Sequence, residues 1–151
     1  MANIKGKIKA ISVSQRKGTQ KVNVPEAQLR TDFGIIGDAH AGNWHRQVSL
    51  LAAESINKMV AKGAKVSPGD FAENLTTEGI DLLKLSVGSR LKVGEDVELE
   101  ITQFGKKCHD KCEIYKQVGD CIMPREGVFA KVTKAGQISV SDVIEVISNN
   151  D

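Results

Sequence analysis

The three cysteines of the chain, Cys108, Cys112 and Cys121, fall within fourteen positions, in Gly105-Lys106-Lys107-Cys108-His109-Asp110-Lys111-Cys112 and Gly119-Asp120-Cys121-Ile122-Met123-Pro124-Arg125. A thiol attacks sulfur or binds a soft metal as the thiolate, and neighbouring cations favour that form. Cys108 lies among Lys106, Lys107, His109 and Lys111, which makes it the first candidate for a nucleophile or metal ligand. The plain alternative is that the cysteines are small buried hydrophobes, and for Cys121, between Asp120 and Ile122, that reading is preferred. Three cysteines and His109 also supply the atoms of a Cys3His zinc site. Their spacing disfavours it, since structural zinc usually takes paired ligands from two separated knuckles. An iron-sulfur cluster would need a fourth soft ligand.

Two further segments could face a ligand. Gly34 to Gln47 gathers Asp38, His40, His45, Arg46 and the only tryptophan, Trp44, around three glycines. Glycine lets backbone approach a ligand closely, and Arg46 offers a planar donor fork suited to phosphate or carboxylate. Equally, Arg46 could cap a carboxylate and His45 could be a surface loop residue. His40 and His45 are five positions apart with no carboxylate between them, so the His-Glu-x-x-His arrangement of zinc hydrolases is absent. In Pro68-Gly69-Asp70-Phe71-Ala72-Glu73-Asn74-Leu75, Glu73 and Asn74 could bond a polar ligand. The preferred reading is structural, with Asp70 making an Asx-type turn and Asn74 holding the loop together.

These segments must be positioned by strands. Val, Ile and Thr alternate with polar residues in short runs separated by turn signals, the pattern of half-buried antiparallel strands. Val97-Glu98-Leu99-Glu100-Ile101-Thr102 is the clearest, with Val97, Leu99 and Ile101 on one face. Other strands are expected at Lys7 to Val13, Val48 to Leu51, Asn74 to Thr77, Arg90 to Val93, Gly127 to Thr133 and Val143 to Ile147. The last two are expected to join through Lys134-Ala135-Gly136-Gln137. A single clear helix is expected from Ala53 to Lys62, with Ile56, Met59 and Val60 at helical spacing and Gly63 ending it. A shorter helical turn is suggested at Asp81 to Lys84. The three prolines, Pro25, Pro68 and Pro124, are expected at strand boundaries. Many short strands with one helix favour a mainly β fold, a closed or nearly closed barrel, because closure removes sheet edges.

Composition narrows the function classes. A chain of 151 residues has the length of one domain, and 40% apolar with 26% charged residues is a globular balance. The formal charge is +2, with both signs interspersed, and aromatics make up 4%. Neither a nucleic-acid footprint nor a base-stacking surface is indicated. No apolar run reaches the roughly 20 residues of a membrane span. The opening residues alternate like a strand and carry no secretory signal, so the expectation is a cytoplasmic protein with reduced thiols.

Taken in order, the segments resemble a known family. Gly37-Asp38-x-His40-Ala41-Gly42 with Arg46-Gln47-Val48-Ser49-Leu50, then Pro68 to Leu75, then Gly105-Lys106-x-Cys108-His109, then Gly119-Asp120-Cys121-Ile122-Met123-Pro124-Arg125-Glu126-Gly127-Val128-Phe129 resemble the MOSC domain, named for the C-terminal domain of molybdenum cofactor sulfurase. The likeness runs from Lys5 to Ile147 and is to the stand-alone bacterial form. It implies a barrel-like β fold and a role with the molybdenum cofactor or related metal-sulfur chemistry. It further implies a cysteine that carries sulfur as a persulfide or ligates molybdenum. Cys108 matches that position best, with Cys112 a close rival.

In the implied arrangement the phosphate of molybdopterin docks on Arg46, His45 and Arg125. Asp38 and Asn74 position loops or pterin amides, His40 belongs to the same binding set, and Lys106, Lys107 and Lys111 favour the thiolate. Pyridoxal phosphate is not expected, because in full-length sulfurases it belongs to a separate domain. The implied partners are molybdopterin or a sulfur-donor desulfurase, with a molybdoenzyme as acceptor. A non-catalytic molybdopterin-binding or delivery module is the alternative. A molybdenum-dependent reductase of N-hydroxylated compounds ranks last, since no flavin, haem or iron-sulfur site is recognisable.

Overall fold

The computed structural model describes residues 4–17, 20–105 and 122–149. In chain order these form β1 (Lys5–Val13), β2 (Val22–Val24), β3 (Glu26–Arg30), β4 (Gly34–Ile35), β5 (Val48–Ala52), α1 (Ala53–Ala61), β6 (Leu75–Glu78), a 3₁₀ turn (Leu82–Lys84), β7 (Arg90–Val93), β8 (Val97–Phe104), α2 (Met123–Glu126), β9 (Val128–Lys134), β10 (Gly136–Ser139) and β11 (Val143–Ser148). Seven strands in the order β11-β7-β8-β9-β5-β6-β1 close into a barrel through pairing of β1 with β11. The expected mainly β barrel is therefore the observed one. Among the described residues no helix is long and apolar enough to cross a membrane.

Alternation within the strands explains the core. Val97, Leu99 and Ile101 of β8 are completely buried, and the intervening glutamates are partly exposed. With Ile8, Leu50, Leu75, Leu91, Val93 and Ile144 they fill the main core. A second sheet, β10-β3-β4, adds Leu29, Ile35 and Ile138 to that core. Strand β5 departs from alternation: Val48, Leu50 and Leu51 are all fully buried. Both of its faces are covered, since Val48 and Leu50 belong to the main core while Leu51 joins Ile56 and Met59 of α1 in a second cluster. A strand with two covered faces reads as a continuous apolar run.

Several details depart from the sequence expectation. Strands β5 and β6 run parallel, with Leu50 opposite Leu75, whereas antiparallel pairing was expected throughout. Parallel neighbours need a crossover, and here it contains α1. Helix α1 ends at Ala61, with Gly63 at φ +97° just beyond it, but Val60 faces solvent at 48% exposure. The stretch after β9 is not a hairpin to β11. Gly136 opens β10, which pairs with β3, and β11 instead pairs with β1 and β7. Pro124 lies in the first turn of α2 rather than at a strand boundary, where its missing N–H costs no helical bond. The short strands β2, β3 and β4 were not anticipated.

The cost of core truncation should follow this burial. Leu99→Ala is expected to lower unfolding stability by about 2–5 kcal/mol, and Val143→Ala, at a 44% exposed site, by no more than about 0.5 kcal/mol, in urea denaturation.

Candidate functional site

The rim of the barrel where β5 and β6 begin also receives the end of β1, because β1 runs antiparallel to β6. Asn74, immediately before β6, ties these strands together. Its Oδ1 accepts from the Ser49 N–H at 2.9 Å and its Nδ2 donates to the Ser12 carbonyl at 3.1 Å. The backbone repeats the tie: Ser12 N–H donates to the Asn74 carbonyl at 2.8 Å and Asn74 N–H to the Ser49 carbonyl at 3.0 Å. The structural role expected for Asn74 is therefore present, and the same residue also lines the cleft described below.

The 67–74 loop approaches β1 closely. Gly69 has φ +97°, and a Cβ there would lie 2.8 Å from Ser12 Oγ, so glycine is required both for conformation and for space. Asp70 Oδ2 accepts from Ser67 N–H at 2.9 Å, which closes the turn backwards rather than as the expected forward Asx turn. Ala72 is left-handed at φ +65°, a strained state for a residue with Cβ, and its carbonyl accepts from Ser49 Oγ. Glu73 is fully buried and accepts from Gly69 N–H, Phe71 N–H and Thr76 Oγ1. Burial dominates these three bonds and raises its carboxyl above the usual range. Glu73 thus organises the loop from inside.

The 36–47 loop carries the other wall. Trp44 Nε1 donates to the His40 carbonyl at 2.9 Å, and the Arg46 guanidinium lies 4.7 Å from the Trp44 ring centre and 5.6 Å from that of Phe129. Both separations fall within cation-π range. Arg46 Nε is buried and has no hydrogen-bond partner among the described residues. Gln47 Oε1 accepts from Val132 N–H at 2.9 Å and fastens the loop to β9.

Beneath this loop lies a buried ion pair that no local motif signals. Lys21 Nζ meets Asp38 Oδ1 at 2.8 Å, with side-chain exposures of 1% and 0%. The ammonium also donates to Ser14 Oγ at 3.2 Å and lies 3.2 Å from His40 Nδ1. Asp38 Oδ1 accepts from Ser14 N–H as well. Burial pushes the Asp38 carboxyl up, but the Lys21 ammonium and the Ser14 N–H outweigh it and hold the group below its ordinary value of 3.8.

His40, Trp44, Arg46, Ser49, Ala72, Asn74, Met123 and Phe129 line one cleft, with a cavity of about 130 Å³. Of the expected binding residues, His40, Arg46 and Asn74 meet there. Asp38 sits underneath, engaged with Lys21 and Ser14 rather than lining the cleft. His45 does not line it, and its Nε2 is 2.8 Å from Gln103 Oε1 on β8. Arg125 is on α2, whose Met123 reaches the wall in its place. Cys108, Cys112, Cys121 and His109, together with Lys106, Lys107 and Lys111, lie outside the described residues. Among the described residues no three His, Cys, Asp or Glu side chains group as a metal site.

Lys21, Met123 and Phe129 were not foreseen as site residues. Lys21 lies seventeen positions from Asp38 with no local motif, and Phe129 and Met123 read as ordinary core residues.

This arrangement can be set beside known proteins. Residues 37–145 match the MOSC domain family. The chain belongs to that family, which is associated with the molybdenum cofactor. The match spans both loops that build the cleft and β5 to β9 between and beyond them. The fold is similar to the crystal structure of the YuaD protein of Bacillus subtilis, with 20% identity, coverage of 97% of this chain and 98% of that one, and a TM-score of 0.81. It is also similar to YiiM from Escherichia coli (19% identity, 96% and 71% coverage, TM-score 0.66) and YiiM from Geobacillus stearothermophilus (16%, 94% and 75%, TM-score 0.68). No functionally curated protein matches the sequence.

The buried pair gives the MOSC domain a defined acid response. The folded value of Asp38 lies below its unfolded one, so its contribution to stability is complete above about pH 3.8 and is lost as pH falls through the folded value. Asp38→Asn leaves the Lys21 ammonium buried without its counter-charge and is expected to cost about 3–5 kcal/mol at neutral pH. Urea denaturation between about pH 7 and 3 should show this gap narrowing toward acid.

Proposed function

We propose that this MOSC domain binds the molybdenum cofactor at the cleft and works as a sulfur carrier or cofactor-binding domain, with a cysteine thiolate carrying sulfur or ligating molybdenum. The observation that carries this reading is Arg46. Its Nε is buried, without a partner among the described residues, in a cleft it shares with His40 and Asn74. A buried donor without an acceptor costs stability, and an anionic ligand group removes that cost. The residues present therefore suit a phosphate-bearing cofactor. A cavity of about 130 Å³ takes one polar end of an elongated ligand, not a whole pterin.

In this reading Arg46 holds the phosphate, with His40 as a second polar contact, and Asn74 fixes the strand ends that set their spacing. Trp44 and Phe129 hold the guanidinium from its faces and exclude water from one side. His45 and Arg125 belong to an outer set that a longer ligand reaches. Molybdenum, when bound, supplies a thiophilic redox centre. For sulfur carriage, the Cys108 or Cys112 thiolate attacks the terminal sulfur of a donor persulfide, the donor thiolate leaves, and a persulfide remains on this chain.

Two measurements test this. Arg46→Lys keeps the charge but loses the planar fork, and is expected to weaken retention of molybdopterin by about tenfold or more, read as pterin fluorescence and molybdenum content after purification from a molybdenum-replete host. Cys108→Ser and Cys112→Ser, made separately, are expected to show that one of the two abolishes the mass gain of one sulfur atom after incubation with a desulfurase and cysteine. Survival of both sulfur loading and cofactor retention in each variant would rule the thiol mechanism out.

A further inference from the structure

The buried ion pair meets the cleft at His40, whose Nδ1 lies 3.2 Å from the Lys21 ammonium and whose backbone N–H donates to Asp38 Oδ2. We propose that Lys21 is a positioning residue that holds His40 as neutral imidazole with its proton on Nε2, so that His40 meets a ligand in the cleft as a hydrogen-bond donor. An ammonium has three N–H donors and no lone pair. Those of Lys21 have three acceptors: Asp38 Oδ1 at 2.8 Å, Ser14 Oγ at 3.2 Å and His40 Nδ1 at 3.2 Å. The pairing with Asp38 keeps the lysine charged despite its burial. Nδ1 must therefore offer its lone pair, and the one proton of the neutral ring goes to Nε2.

Among the described residues, the charges around the ring favour this form. Asp38 Oδ2 is 4.0 Å from Nδ1 and pulls toward a protonated ring, but it already accepts the His40 backbone N–H at 3.3 Å and lies farther from Nδ1 than the ammonium does. Arg46, on the same cleft wall, is a second cation that opposes protonation. The 67–74 loop faces the cleft with Asn74 and Ala72, neither charged. A proton on Nδ1 would set two donors against each other at 3.2 Å beside a buried cation.

The consequence concerns ligand class. With His40 locked as a donor and Arg46 able only to donate, this wall selects a group rich in acceptors, such as a phosphate or carboxylate, over a neutral donor group. The inference deepens the cofactor reading of the same cleft, yet its test requires no cofactor, so the two fail separately.

The test is the long-range proton-nitrogen spectrum of the imidazoles in the full chain at neutral pH. The chain has three histidines, and His40→Gln identifies the His40 signals by their loss. The expected result is a single Nε2–H tautomer at His40. In the double variant Lys21→Met with Asp38→Asn, which removes both buried charges together, the pattern is expected to shift to mixed tautomers or a protonated fraction. An Nδ1–H form or an imidazolium in the wild type overturns the proposal, as does an unchanged Nε2–H tautomer in a folded double variant. If the double variant does not fold, the wild-type spectrum decides alone.

Discussion

Closure of the barrel rests on β1, a strand of nine residues that hydrogen-bonds to three different neighbours along its length. Lys5 to Lys7 pair with β11, Lys7 to Ile11 with β6, and Ile11 to Val13 with β2. A register shift between Ile8 and Ala10 accompanies this change of partner. Such an irregularity bends a strand and increases its twist, which lets one strand serve both edges of a curled sheet. Without that pairing the main sheet would present open edges at β1 and β11, and Ile8, Leu91 and Ile144 would lose the enclosure that buries them completely.

The same strand fixes where the cleft lies. Its C-terminal end meets the starts of β5 and β6, and Asn74 bonds to Ser12 on one side and Ser49 on the other. The loops that leave this rim are thereby held at their roots. Each loop then carries its own buried anchor: Glu73 inside the 67–74 loop, and the Asp38–Lys21 pair beneath the 36–47 loop. Their carboxyls respond in opposite directions. Asp38 gains a cation and is held ionised, whereas the donors to Glu73 among the described residues are neutral and its burial favours the protonated form. As pH rises through the folded value of Glu73, its ionisation is disfavoured in the fold, and stability due to that residue declines. The strained backbone of Ala72 and the Nε of Arg46, unpartnered among the described residues, lie on the cleft wall between these anchors. Both are costs that a packed loop would avoid and that a ligand site tolerates.

Legibility in the sequence depended on the range of the interaction. Strand β8 was readable because Val97, Leu99 and Ile101 repeat every second position and one face is buried. Helix α1 was readable from its spacing and its terminal glycine, although Val60 lies off the buried face, which is made by Ala53, Ser55, Ile56 and Met59. Parallel pairing of β5 with β6 was not readable, since direction depends on where the crossover returns the chain. The two- to five-residue strands β2, β3 and β4 are too short to show a period.

The sequence alone determined the barrel class, the segments that could face a ligand, and the resemblance to the MOSC domain. These depend on local alternation, on turn-forming glycines, and on the order of motifs along the chain. Only the tertiary structure decided which members of those segments share a space. His40, Arg46 and Asn74 line one cleft, while Asp38 lies below it and His45 turns to Gln103. Lys21 before β2, Met123 of α2 and Phe129 of β9 joined the site from distant parts of the chain. Side-chain periodicity fixes which face of an element is buried. Which faces then meet depends on register and closure, set here by β1 across more than a hundred residues.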